Sequence, residues 1–279
     1  MKKSWLLNAA LLVLVVALGW FAYLKPRSDE PTSYALSTLK ADQVGHVRLE
    51  RGGSPAIAIE KKEDLWLITA PFTARADPFH LERLLAIVTA RAVHRFAGTD
   101  LARFELDQPQ ARLTIDGQSF SFGTVSAVTR EQYVLTGGTV YAIDPRYGGA
   151  LPATAEQLIG RQLFAGNEAP VRFEVGDFSV AQSDGKWSVT RPVADLSQDD
   201  FNRWVDEWRQ AAALRAELYA DKKTIGEIKV EFRDGRKLTL GILQREPELV
   251  ISRPDQKVQY YFPSETARRL LTPPGRRNQ

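Results

Sequence analysis

The chain has 279 residues, 44% of them hydrophobic and 25% charged, an ordinary globular composition with room for one large domain or two modest ones. Its formal net charge of +3 is a small, scattered surplus, with paired cations at the two ends (Lys2, Lys3, Arg276, Arg277), so nucleic acid is not expected as a partner. No cysteine is present, which excludes disulfides, thiolate metal sites, a cysteine nucleophile and a lipid-modified N-terminal cysteine, and leaves the compartment open.

From Ser4 to Leu24 the chain carries no charge, over about the 20 residues that a helix needs to cross a bilayer. Trp5 stands near one end, and Trp20 and Tyr23 near the other, where amphipathic rings favour the headgroup zone. Residues 1–24 are therefore expected to be a cytoplasmic stub and a transmembrane helix bound in the lipid bilayer. A cleaved secretory signal is the alternative, since Ala17-Leu18-Gly19 offers a small-x-small site, but cutting there leaves an apolar stub from Trp20 to Leu24. Lys2 and Lys3 with the terminal amine slightly outweigh Lys25 and Arg27, which orients the N-terminus inward. The expected location is the bacterial inner membrane, single-pass, with the body of the chain in the periplasm.

Residues 25–33 contain two prolines and mixed charge and read as a solvated linker. Beyond them the chain is written twice, as units 34–160 and 161–271. Trp66, Thr69 and Pro71 each recur 121 positions on, as Trp187, Thr190 and Pro192. A helix follows in each unit. Asp77 is the expected cap of the first, with a stripe from Phe79 to Ala92, and Asp199 of the second, which carries Phe201, Trp204, Val205 and Trp208 and ends near Leu218. Asp116-Gly117 and Asp234-Gly235 then mark hairpins whose turns differ by one residue. Two further strands and a short helix close each unit, the helices being expected at 153–159 and 264–271. Residues 272–279 read as a loose basic tail. The order β-β-β-α-β-β-β-β-α predicts an α+β fold of two tandem, mainly antiparallel sheet units, each covered by a helix.

Chemistry is hard to place. His46, His80 and His94 lack the spacing that puts two imidazoles on one helical face, so no metal site is expected. The paired glycines have no phosphate-binding spacing and no nucleophile elbow is present, so neither a cofactor site nor a catalytic residue is assigned. Asp77, Asp100, Asp116, Asp199, Asp206 and Glu207 could form an acid–base pair, but helix caps, turns and a polar helix face account for most of them. Trp204 and Trp208, at i and i+4, either pack within or between the units or line a groove, and they are the candidate partner or ligand surface.

The tryptophan strand ending in proline, the Asp-capped helix after it, and Leu101-Ala102-Arg103-Phe104-Glu105-Leu106-Asp107-Gln108-Pro109-Gln110-Ala111 resemble the bacterial family called domain of unknown function 4340. The likeness is best over 44–145. Glu105 replaces the usual glycine, and the second unit has no counterpart of Leu106-x-x-Pro109. The resemblance implies a membrane-anchored envelope protein, of a kind associated with ABC-type transporters and gliding-like systems, with no assigned catalytic residue.

The expected function is thus a non-enzymatic, membrane-anchored accessory or binding protein with an integral membrane protein as partner. A periplasmic enzyme acting on glycan or peptide through carboxylates between the units, or an anchored solute-binding protein, are the alternatives.

Overall fold

The computed structural model describes residues 11–21, 33–190, 196–219 and 222–275. Residues 11–21 form helix α1, exposed along its length. Among the described residues no helix is long and apolar enough to cross a membrane. The expected span, 4–24, begins and ends outside the described residues, as does most of the linker.

Antiparallel β-structure dominates the body, with few helices. The first unit holds β1 (Tyr34–Ala35), β2 (His46–Arg51), β3 (Ile57–Lys62), β4 (Leu65–Ala70), β5 (Ala74–Arg75), α2 (Pro78–Leu85), β6 (Arg91–Ala92), β7 (His94–Ala97), β8 (Ala111–Ile115), β9 (Gln118–Val125), β10 (Gln132–Thr136), β11 (Thr139–Ile143) and α3 (Arg146–Gly149). The second holds β12 (Pro170–Val175), β13 (Phe178–Ser183), β14 (Lys186–Val189), α4 (Gln198–Arg209), β15 (Arg215–Leu218), β16 (Gly226–Phe232), β17 (Lys237–Gln244), β18 (Leu249–Arg253), β19 (Val258–Phe262) and α5 (Ser264–Leu271).

The nine-stranded sheet runs β5-β4-β3-β2-β8-β9-β10-β11-β7 and the eight-stranded sheet β14-β13-β12-β16-β17-β18-β19-β15, with a small β1–β6 pair beside the first. Apart from β5 at one edge, the two large sheets correspond strand for strand. Register corresponds too: Trp66 faces Lys61 in one outer hairpin and Trp187 faces Gln182 in the other. The two Asp-Gly turns differ as their sequences predict. Asp116 and Gly117 both have positive φ, 43° and 86°, and close a two-residue hairpin with Ile115 opposite Gln118. Around Gly235 the loop is longer, and Glu231 pairs with Lys237.

Helices α2 and α4 bury their apolar stripes in the core. Leu81, Leu84 and Leu85 of α2 are buried with Val47, Leu49 and Ile59. Phe201, Trp204, Val205 and Trp208 of α4 are buried, and the tryptophan rings meet Phe173 of β12.

Several boundaries depart from expectation. Helix α2 stops at Leu85 and passes into a 3-10 turn, Ala86–Thr89, where Ile87, Val88 and Thr89 form a β-branched run. Helix α4 ends at Arg209 instead of near Leu218, and the residues beyond become β15. Strands β7 and β15 are additions to the expected order in the two units, as are the two-residue strands β1, β5 and β6 of the first. Ser197, not Asp199, caps α4. Its hydroxyl accepts from the Asp200 amide while the Asp200 carboxylate accepts from the Ser197 amide, and this capping box satisfies two donors at once. The closing element of the first unit is a 3-10 turn, Ala155–Leu158, and that of the second is α5 as expected. The tail is packed as far as Pro274, which is buried, and the Thr272 carbonyl accepts a hydrogen bond from Trp204 Nε1 at 2.8 Å.

Candidate functional site

Trp204 and Trp208, the candidate surface, lie in the core of the second unit at 2% and 0% exposure. Their rings are 6.0 Å apart and stand 5.2 and 5.3 Å from Phe173, because α4 turns its i, i+4 aromatic face toward β12. Packing accounts for both rings, and they present no surface to a partner.

The carboxylates singled out in the sequence are likewise dispersed. Asp77 accepts from the Phe79 amide at 2.9 Å, and Asp116 accepts from the amides of Gly45 and His46. Asp206 pairs with Arg209 and Glu207 with Arg269. The three histidines stand beside three separate acids, Asp116, Asp77 and Glu131. Among the described residues no group of three or more His, Asp or Glu side chains could hold a metal.

Polar chemistry concentrates where the two units meet. The connecting segment stitches them: Ile159 bridges Ala76 of the first unit, and Gln162 bridges Ala212 of the second. The Gly160 amide donates to Arg75 O, and the Leu163 amide donates to Ala211 O. Gly160 packs so near the Ala76 and Arg75 carbonyls that an added Cβ would sit 3.4 Å from each. Arg75, on the edge strand β5, reaches across. Its Nη2 donates to the carbonyls of Gln162 (2.7 Å) and Leu163 (3.1 Å), and its Nε donates to Gln256 Oε1 (3.1 Å).

Beside this stitch opens a cleft of about 890 Å³. Leu65, Leu67, Pro71 and Phe72 of the first unit and Leu218 and Tyr219 of the second form its apolar walls. Charged groups line the remainder: Arg75, Glu168, Asp234, Arg236, Arg253 and Lys257, with Asp255 and Gln256.

Arg253 organises that charge. It is 2% exposed, and all five of its N–H bonds are directed at acceptors. Nη1 reaches Glu168 Oε2 (2.9 Å) and Leu163 O (2.7 Å), Nη2 reaches Glu168 Oε1 (2.9 Å) and Asp255 Oδ2 (2.8 Å), and Nε reaches Asp255 Oδ1 (3.2 Å). Glu168 also accepts from the Ala165 amide at 2.7 Å. Burial alone would raise the Glu168 carboxyl, but the hydrogen bonds and charge of Arg253, the Ala165 amide and the charge of Arg75 outweigh it and hold the group below its usual range. Burial likewise opposes the Arg253 charge, and the two carboxylates more than offset it. Arg236, 2.7 Å from Asp234, holds that carboxyl low and is itself raised.

The cleft therefore contains two carboxylates, Glu168 and Asp255, whose oxygens share one nitrogen of Arg253. A glycosidase-type general acid needs a carboxyl with a raised pKa. Glu168 is shifted the other way and has its oxygens occupied, so the pair serves to fix a cation at the seam.

Sequence reading missed this site. Its parts come from β5, the connector, the β16–β17 turn and the end of β18, and no local motif joins them. One signal was present: Arg253 ends a strand, Leu249-Val250-Ile251-Ser252-Arg253, every residue of which is buried. An arginine continuing such an apolar strand points to a buried partner.

The sequence model of the family described as Domain of unknown function (DUF4340) matches residues 66–197 and supports the assignment of this chain to that family. The matched window opens at Trp66 on β4 and closes at Ser197, the cap of α4, so it runs from one tryptophan strand past the next instead of following a single unit. It contains the Leu101–Ala111 segment, Arg75 and Glu168, and it stops short of Arg253. No curated protein and no solved structure matches the chain.

Proposed function

We propose that this chain is a non-enzymatic, membrane-anchored accessory or binding protein of the bacterial envelope, its two-sheet body lying in the periplasm and its seam cleft holding part of an integral membrane partner. The family resemblance makes an ABC-type transporter or similar envelope machine the natural setting. The observation that carries the reading is the cleft itself. Both units wall it, it is partly apolar, and its acids are engaged by arginine instead of being free for proton transfer.

The anchor is supported by α1. Leu12, Val13, Leu14, Val15, Val16 and Phe21 are all exposed among the described residues. Water does not tolerate an apolar surface of that kind, and a bilayer does. A tethered domain also meets its partner at high effective concentration, so a modest contact suffices.

The test is alkaline carbonate extraction of native membranes, followed by crosslinking and mass spectrometry of the full-length chain beside one lacking residues 1–24. The full chain is expected to resist extraction and to bring down an integral membrane protein that the truncated chain does not. Release by carbonate contradicts the anchor. Recovery of no membrane protein by the full chain contradicts the accessory role.

A further inference from the structure

Taking the binding reading as its basis, we infer that the seam cleft receives an extended polypeptide segment carrying acidic side chains between apolar ones. Its carboxylates would be met by Arg75 and Lys257 and its apolar groups by Leu65, Leu67, Phe72 and Tyr219.

Charge bookkeeping within the cleft selects the anion. Glu168 and Asp255 are bound to Arg253, and Asp234 to Arg236. Among the described residues, Arg75 and Lys257 form no ion pair with any carboxylate. The Arg75 guanidinium is fixed by Gln256, Gln162, Leu163 and Tyr260 through Nε and Nη2, which leaves Nη1 with no hydrogen bond among the described residues. Lys257, directly after Gln256 in the chain, is exposed, with φ at 53°. A preorganised guanidinium with an unbonded nitrogen, and an exposed ammonium lining the same cleft, make a carboxylate receptor in which the guanidinium's ordering cost has been met by the fold.

The walls select a polypeptide. Among the described residues β15 is the outermost strand of the second sheet, paired with β19 alone, and its last residue, Leu218, lines the cleft with Tyr219. An edge strand presents unpaired amides and carbonyls that an extended chain can satisfy. The apolar lining contributed by both units then takes alternate side chains of that chain. The volume, about 890 Å³, is at the upper end of ligand pockets and leaves room for several residues.

The experiment is titration calorimetry on the full-length chain in detergent micelles with three acetylated, amidated hexapeptides: alternating leucine and glutamate, leucine and glutamine, and leucine and lysine. The leucine–glutamate peptide is expected to bind at one site, with the glutamine version about tenfold or more weaker, as loss of a charge-assisted pair implies. Lys257→Gln is expected to weaken the acidic peptide, and Lys257→Glu to shift preference toward the lysine peptide. Arg75→Gln also weakens it, and because Arg75 stitches the units its fold is checked by circular dichroism. Equal binding of the glutamate and glutamine peptides, indifference to Lys257→Glu, or uptake of oleate with no peptide binding overturns the inference. If a Lys257→Glu chain still recovers its membrane partner at the original level, the accessory role stands and the cleft assignment alone falls.

Discussion

Arg253 and Glu168 form a two-pronged ion pair inside the second unit, with side chains 2% and 5% exposed and both N–O contacts at 2.9 Å. The pair fixes the floor of the seam, since Arg253 also grips the connector at Leu163 O. Breaking one side of a buried pair leaves a desolvated charge, so Glu168→Gln should destabilise the protein by about 3–5 kcal/mol in urea unfolding. Replacing both partners, Glu168→Leu with Arg253→Met, should cost less than either single change. A Glu168→Gln chain as stable as the original would show that the pair carries no such weight.

The same pair predicts an acid response. Glu168 has its folded-state pKa lowered, so its contribution to stability is complete above the ordinary glutamate range, near about 4.3, and is lost as pH falls through and below it. Thermal midpoints measured from neutral pH downward should drop through that window. In Glu168→Gln the drop should be shallower, starting from a lower plateau; identical slopes in the two chains would remove Glu168 as the cause.

Trp204 and Trp208 are core residues, so their truncation should be read in stability. Trp204→Ala or Trp208→Ala is expected to cost about 3–5 kcal/mol. Trp204 Nε1 donates to Thr272 O, whereas Trp208 Nε1 has no partner among the described residues, so Trp208→Phe should be the milder of the two phenylalanine substitutions. Loss of peptide binding by a fully folded Trp208→Phe chain would reopen these rings as a ligand surface.

Gln198 closes an edge. Its side-chain amide accepts from the Trp187 N–H and donates to the Trp187 carbonyl, each at 2.9 Å, standing in for a neighbouring strand along β14. In the first unit the Ala76 amide plays part of that role, donating to Trp66 O at 2.8 Å. Gln198→Ala should speed hydrogen exchange at the Trp187 amide and raise the tendency to aggregate through the opened edge. Unchanged exchange at Trp187 would show that the clamp is not formed in solution.

These particulars show what a sequence of this kind discloses. Local chemistry was legible: Asp77 capping α2, the one-residue difference between the Asp-Gly turns, and the repeated Trp66 and Trp187 at matching register. Strands β7 and β15 were not, because Arg215-Ala216-Glu217-Leu218 is short and continues a helical pattern until tertiary pairing with β19 claims it. The α4 cap went to Ser197 since a capping box satisfies more donors than Asp199 could. The seam site was invisible because Arg75 and Gln256 meet across 181 positions with no periodicity to connect them. Trp204 and Trp208 drew notice as large apolar rings, and burial was the ordinary fate of such rings.

The most direct test of a seam that holds a membrane partner is a photocrosslinking amino acid placed at Phe72, in the cleft wall, and separately at Asp184, in the β13–β14 turn, in full-length chains in native membranes. Illumination is expected to give one dominant adduct with an integral membrane protein from position 72 and none from position 184. No adduct from position 72, or the same adduct from both positions, would contradict the assignment of the cleft as the binding site.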